Sequence, residues 1–155
     1  MTALSKKARY ALQAIYALAA DDGRGPVLIA DLAERERIPR KFLEAILLEL
    51  RNAGILHSKK GKGGGYSLAR SPREITLGQI IRVIDGPLAP VPCVSERAYE
   101  RCEGCVNEET CGTRMVMKEV RDAISKILDA RSVADVQEEV ARAGRRAGLA
   151  VAYSI

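Results

Sequence analysis

All four cysteines of this chain fall between positions 93 and 111, spaced as Cys93, eight residues, Cys102, two residues, Cys105, five residues, Cys111. Thiolates are the preferred ligands of iron–sulfur clusters and of zinc, and four within so short a stretch can converge on one inorganic core. A structural zinc site generally brings two tight Cys-x-x-Cys knuckles, and here only Cys102 to Cys105 is tight. A thiol–disulfide switch between Cys102 and Cys105, or inert thiols, are the other readings. The expectation carried forward is an iron–sulfur cluster, 2Fe-2S or 4Fe-4S, with Cys93, Cys102, Cys105 and Cys111 as its metal ligands. A disulfide scaffold would spread its cysteines more evenly, so the crowding suits a reducing, cytoplasmic compartment.

A second constellation is basic. Arg40, Lys41 and Glu44 stand on one face of an apolar-anchored helical segment. A major-groove reading helix needs polar side chains on the outward face of its first turns; Arg or Lys can read guanine, and Glu can accept from cytosine. Ala45 could touch a thymine methyl. Further on, Lys59, Lys60 and Lys62 surround a glycine run whose backbone could approach phosphates closely. The plainer readings are a solvated helix face and a flexible linker. A phosphate-cradling loop of the Walker type would end in Gly-Lys-Ser or Gly-Lys-Thr, which is absent. His57, the lone histidine, reads as a hydrogen-bonded or exposed side chain sooner than as a ligand.

The elements that must position these residues follow from periodicity and punctuation. Ser5 can cap a helix over Ala8, Ala11, Leu12, Ile15 and Leu18. A helix over 29–36, ended by Ile38-Pro39, and another opened by Pro39 and buried through Phe42, Leu43, Ile46, Leu47 and Leu50 form a helix-turn-helix. Ile55–Ser58 and Tyr66–Ala69 read as two strands of a hairpin, a wing with a lysine-bearing tip. Thr76 and Gln79 form a capping box for a helix that Gly86-Pro87 stops. After the cysteines, Met117, Val120, Ile124 and Ile127 line a narrow seam on a helix of about 111–130, as in a helix that pairs with its own copy. Ser132 caps a last helix ending near Gly144.

The expected fold is therefore mainly α with a small β wing, a winged helix-turn-helix plus a long dimerisation helix. Its organisation reads as 1–86 for DNA binding, 87–111 for the cysteine loop, 112–144 for dimerisation helices and 145–155 as a tail. At 155 residues, 47% hydrophobic and without Trp, the chain can bury one core of Ala, Leu, Ile and Val. Residues 1–76 carry 14 Lys and Arg against 8 acids and 77–155 carry 11 against 12, so the positive charge sits with the helix-turn-helix. The loop itself is acidic through Glu96, Glu100, Glu103, Glu108 and Glu109, which keeps it off the DNA. No apolar run is long enough for a membrane span, and neither a paired nucleophile and base nor a second cofactor motif points to an enzyme.

Taken together, Leu4-Ser-Lys-Lys-Ala-Arg-Tyr-Ala11, Phe42-Leu-Glu44, Leu50-Arg-Asn-Ala-Gly54, Gly63-Gly-Gly-Tyr66-Ser-Leu68-Ala, Ile84-Asp-Gly-Pro87 and the cysteines closely resemble the Rrf-two family of winged-helix transcription regulators, in its IscR-, NsrR- and RirA-like group. The resemblance spans residues 1 to about 137. It implies an intertwined homodimer on a palindromic promoter site of double-stranded DNA, joined through the helix after Cys111, and repression as the regulatory outcome. It implies base contacts by Lys41 and Glu44, and a minor-groove role for Lys60 where many members carry arginine. Cluster-binding members use three cysteines, best matched by Cys93, Cys105 and Cys111, and a fourth, non-cysteine ligand. That ligand's two family positions are Arg114 and Arg9 here, which leaves Cys102 as the substitute. Sensing of iron–sulfur, redox or nitric oxide status would follow. A zinc- or thiol-based regulator of the same fold, or an iron–sulfur electron carrier, are the alternatives.

Overall fold

The computed structural model describes residues 3–148. Helix α1 (Lys6–Ala20) starts at Ser5, whose hydroxyl accepts from the Ala8 amide. It presents an almost wholly apolar, small-residue face, with Ala8, Ala11, Ala14 and Ile15 fully buried. Helices α2 (Ile29–Glu36) and α3 (Arg40–Asn52) pack on it, followed by strands β1 (Leu56–Lys59) and β2 (Gly65–Leu68) and helix α4 (Leu77–Asp85). Leu32, Leu43, Ile46, Leu47, Leu50, Leu56, Ile75 and Ile80 close one continuous core around α1. Burying each such Leu or Ile is worth roughly 1.5–3 kcal/mol, and that is what holds the outer face of α3 in place.

Helix α2 ends where expected, but the stop acts before the proline: Arg37 takes the left-handed conformation at φ 54 and its amide returns to Ala33 and Glu34. The wing strands sit one residue away from the expected 55–58 and 66–69. The Ile55 amide bonds the Leu50 carbonyl at 3.0 Å and so finishes α3 instead of starting the strand. The ladder pairs Leu56 with Leu68 and Lys59 with Gly65, and Val27 adds a bridge to Tyr66. Gly65 makes that bridge possible: its φ is +139, and a Cβ there would stand 2.2 Å from the Val27 carbonyl oxygen. The glycine run thus lets the wing close against the Val27 segment that precedes α2.

The Thr76–Gln79 capping box opens α4. At its other end Asp85 accepts from the Ser5 amide at 3.0 Å and from the Ser5 hydroxyl, which ties the Ile-Asp-Gly-Pro corner to the cap of α1. A 3-10 turn at Pro92–Val94 begins the cysteine loop, and α5 (Gly112–Ala130) follows it. Helix α5 contains no buried residue. Its expected single seam is in fact two. Met117, Arg121, Ile124 and Leu128 turn half-buried toward their own chain, whereas Val116, Val120, Ala123 and Ile127 form an exposed stripe with the same spacing.

The chain then returns to the first domain. Thr76 and Ser132 form a bridge, the Val133 amide bonds the Ile75 carbonyl at 2.8 Å, and Val133 enters the core. Helix α6 (Val133–Arg146) runs two residues past Gly144, so Arg145 and Arg146, expected in the tail, are helical. The rest of the expected tail, from 149 on, lies outside the described residues.

Candidate nucleic-acid interface and thiol loop

Arg40, Lys41, Glu44 and Ala45 are all exposed on the first turns of α3, the helix whose opposite face carries Leu43, Ile46, Leu47 and Leu50 into the core. Arg40 and Glu44 form an i,i+4 pair at 3.3 Å; such exposed pairs are weak, roughly 0.3–0.5 kcal/mol, and are readily exchanged for DNA contacts. Lys59 ends β1, and Lys60 and Lys62 stand exposed at the wing tip. Arg40, Lys59 and Lys60 converge on one groove between α3 and the wing, where Arg51 and Ser58 join them. Lys41, Glu44 and Lys62 do not line that groove; they flank it on the helix face and at the tip.

Arg51 was not singled out by the sequence. It is half-buried at the end of α3, and its guanidinium donates to the Ser58 hydroxyl at 3.5 Å across the base of the wing. The only signal available was its place in Leu50-Arg-Asn-Ala-Gly54, just before the helix ends. His57 is exposed on β1, consistent with a wing side chain.

The four thiols are free and unequally placed. Cys93 lies in the 3-10 turn, 4% exposed. Burial first, and then the neighbouring Cys102 thiol, push the Cys93 thiol above the ordinary thiol range, against an opposing pull from the Arg114 guanidinium. Cys102 and Cys105 bracket a tight turn closed by the Cys105 amide on the Cys102 carbonyl at 3.1 Å. Cys111 is the N-cap of α5, its sulfur accepting from the Arg114 amide at 3.4 Å. The loop is braced by Glu100 N–H on the Pro92 carbonyl at 3.3 Å, by Tyr99 donating to Glu108 at 2.7 Å, and by Arg121 donating to the Val94 carbonyl at 2.7 Å.

Among the described residues, no three Cys, His, Asp or Glu side chains come close enough together to share a metal ion. The donor set of four soft thiols suits a cluster, but the expected cage of Cys93, Cys102, Cys105 and Cys111 is not assembled in this conformation. A four-thiolate arrangement needs contacts among residues of a loop whose backbone bonds hold Cys111 to its own helix. The buried Arg114 Nε has no hydrogen-bond partner and lies 4.0 Å from the Glu108 carboxylate.

A helix-turn-helix with a docked two-stranded wing, basic along its reading edge, defines a winged-helix DNA-binding regulator. The chain belongs to the Rrf2 family, described as iron-dependent transcriptional regulators, whose sequence pattern matches residues 4–139. It is 39% identical over 136 residues to an rrf2-like HTH-type transcriptional regulator of Rhodobacter capsulatus, covering 86% of this chain and 91% of the relative. It is 33% identical to the HTH-type transcriptional regulator IscR of Aliivibrio salmonicida, covering 97% and 88%. Among solved structures, CymR, the global cysteine regulator of Bacillus subtilis, superposes with a TM-score of 0.73 at 33% identity, over 90% of this chain and 98% of that one. Relatives and fold neighbours alike are transcription regulators and not enzymes. No described helix is long and apolar enough to cross a membrane.

Proposed function

We propose that this regulator is a homodimeric repressor that binds a palindromic promoter site, and that its loop between Cys93 and Cys111 is the sensor, loaded with a 2Fe-2S or 4Fe-4S cluster. The observation that carries the DNA half is the shared groove of Arg40, Arg51, Lys59 and Lys60 beside the outward face of α3. Helix α3 enters the major groove with Lys41 and Glu44 at base edges. The wing lysines take phosphates or the adjacent minor groove, and Arg51 supports them from the wing base. The exposed stripe Val116, Val120, Ala123 and Ile127 serves as the homodimer seam, which sets two reading heads about 34 Å apart, one turn of duplex.

The sensor half is supported by the gathering of all four thiols between head and stalk and by the family's iron-dependent description. The cysteine regulator among its structural relatives leaves the signal as a separate question from the fold. Loading with a cluster requires the loop to close further, because among the described residues no three such side chains come close enough to share a metal ion. The test is anaerobic purification with a visible spectrum, iron and sulfide assays, sedimentation, and selection of bound duplexes from a random library. A coloured dimer holding iron and acid-labile sulfide, and recovering an inverted repeat, is expected. A monomer indifferent to duplex DNA overturns the reading, and a colourless dimer that still selects its repeat removes the cluster alone.

A further inference from the structure

We infer that the cleft enclosed by the Ile-Asp-Gly-Pro corner, the turn that follows Cys93 and helix α5 binds a small dicarboxylate, with one carboxylate on Arg121 and the other on Arg97. The corner contributes Gly86 to Ala89, the turn Ser95 to Arg97, and α5 contributes Arg121 and Ser125. The cavity measures about 220 Å³. That is less than the roughly 300–1,000 Å³ of sites for drug-sized ligands, so it admits a chain of a few carbons. Leu88, 4% exposed, and Pro87 give it an apolar wall for methylene groups.

The rim is cationic. Arg82, Arg97 and Arg121 line it, with Glu96 as the one acid among the described lining residues. Arg82 and Arg97 also line the adjoining hollow with Arg70 and Gln79, which extends the positive potential along α4. The three guanidinium groups are unequally committed. Arg82 is clamped by Asp129 through two nitrogens, at 2.6 and 2.8 Å. Arg121 donates to the Val94 carbonyl at 2.7 Å, pairs with Asp122, and lies 3.6 Å from a Glu96 carboxylate that is 70% exposed. Arg97 is exposed and makes no hydrogen bond or salt bridge among the described residues. A long contact to an exposed carboxylate contributes little and is readily exchanged. Glu96 therefore marks a place that a ligand carboxylate takes over, and the open Arg97 fork matches a second one. The Ser95 hydroxyl accepts from the Ala98 amide at 3.0 Å and keeps its own proton to donate. Arg121 and Ser125 are half-buried, on the side of α5 away from the exposed Val116, Val120, Ala123 and Ile127, so the homodimer seam proposed above leaves the cleft open. A ligand there would tie the turn after Cys93 to α4 and α5 together.

Binding at the cleft is independent of the cluster and dimer reading; only its effect on DNA affinity depends on that reading. Full-length protein purified without oxygen is titrated calorimetrically with succinate, acetate and orthophosphate. One succinate per chain, saturable and held more tightly than acetate or orthophosphate, is expected. Arg97→Ala should weaken succinate by about tenfold or more, the loss of charge-assisted hydrogen bonds. Glu96→Gln, which removes the resident competitor, should tighten it, a gain that a misfolded variant cannot produce. Arg142→Ala, at an exposed arginine of α6, should leave it unchanged. Absence of saturable binding, orthophosphate equalling succinate, no gain from Glu96→Gln, or equal losses from Arg97→Ala and Arg142→Ala would overturn the inference. So would an Arg97→Ala protein that sediments differently or loses duplex affinity without succinate, since the cleft would then belong to the partner subunit or to DNA. Wild-type binding to its selected duplex, measured in parallel without succinate, reports on the regulator reading separately.

Discussion

On the proposed reading, individual side chains divide the labour at the DNA edge. Glu44 sits on the open face of α3, paired among the described residues with Arg40, and a carboxylate at a base edge contributes roughly 1–3 kcal/mol of discrimination. Glu44→Ala is therefore expected to relax base preference at one position of each half-site, read by competition among single-base operator variants. Lys60, exposed at the wing tip, contributes charge. Lys60→Ala should weaken all duplexes about equally and flatten the slope of log affinity against log salt by about 1. Identical effects from the two variants would contradict these roles. Arg51 shows how far residue-level reading extends: its type was visible, but its convergence with Arg40, Lys59 and Lys60 depends on the wing folding back over the end of α3.

Between elements, two contacts determine how the reading head meets its surroundings. Helices α4 and α5 are clamped by Arg82 and Asp129, with guanidinium-to-carboxylate distances of 2.6 and 2.8 Å. Gly78 leaves room for the carboxylate, since a Cβ there would stand 2.0 Å from an Asp129 oxygen. The hydrogen bond from Arg82 holds the Asp129 carboxyl below the usual range. A depressed carboxylate adds stability above its unfolded pKa of about 3.9 and loses it as pH falls through the folded value. Asp129→Asn is therefore expected to melt below wild type at pH 7 and to converge with it below about pH 4, in paired thermal scans. The wing is the second contact. Gly65→Ala would drive a Cβ into the Val27 carbonyl at a backbone angle L residues rarely adopt, for a loss of roughly 1–3 kcal/mol. Gly112→Ala, with nothing within 4 Å, should be neutral or stabilising in the same unfolding measurement.

For the whole molecule, the unburied helix α5 is the outstanding feature. A helix of 19 residues with no fully buried side chain, yet with an exposed apolar stripe at alternating spacings of four and three, is the surface that the proposed homodimer would cover. Val120→Asp places a charge in the middle of that stripe. It is expected to sediment as a monomer and to lose operator affinity by roughly 10²-fold or more, because the two half-sites are no longer engaged together. An unchanged dimer would move the interface elsewhere. The return of the chain at Ser132 and the entry of Val133 into the core couple α5 to the first helices, so in the proposed dimer an event at the cysteine loop would have a mechanical route to the spacing of the reading heads.

What the sequence determined by itself is whatever depends on neighbours a few residues apart. Caps at Ser5, Thr76 and Ser132, the apolar faces of α1 and α3, the breaker-bounded wing and the thiol spacing are local, and the helices and strands they predict match the structure to within two residues. Tertiary structure decided whatever depends on residues distant in the chain. It split the α5 stripe into an inward and an outward face, drew Arg51 into the basic groove and set Gly65 against Val27. It also buried Cys93 while leaving Cys102, Cys105 and Cys111 partly exposed. The physical reason is that periodicity states which face of an element is apolar, while only packing in three dimensions states what that face, or a sulfur at its edge, will meet.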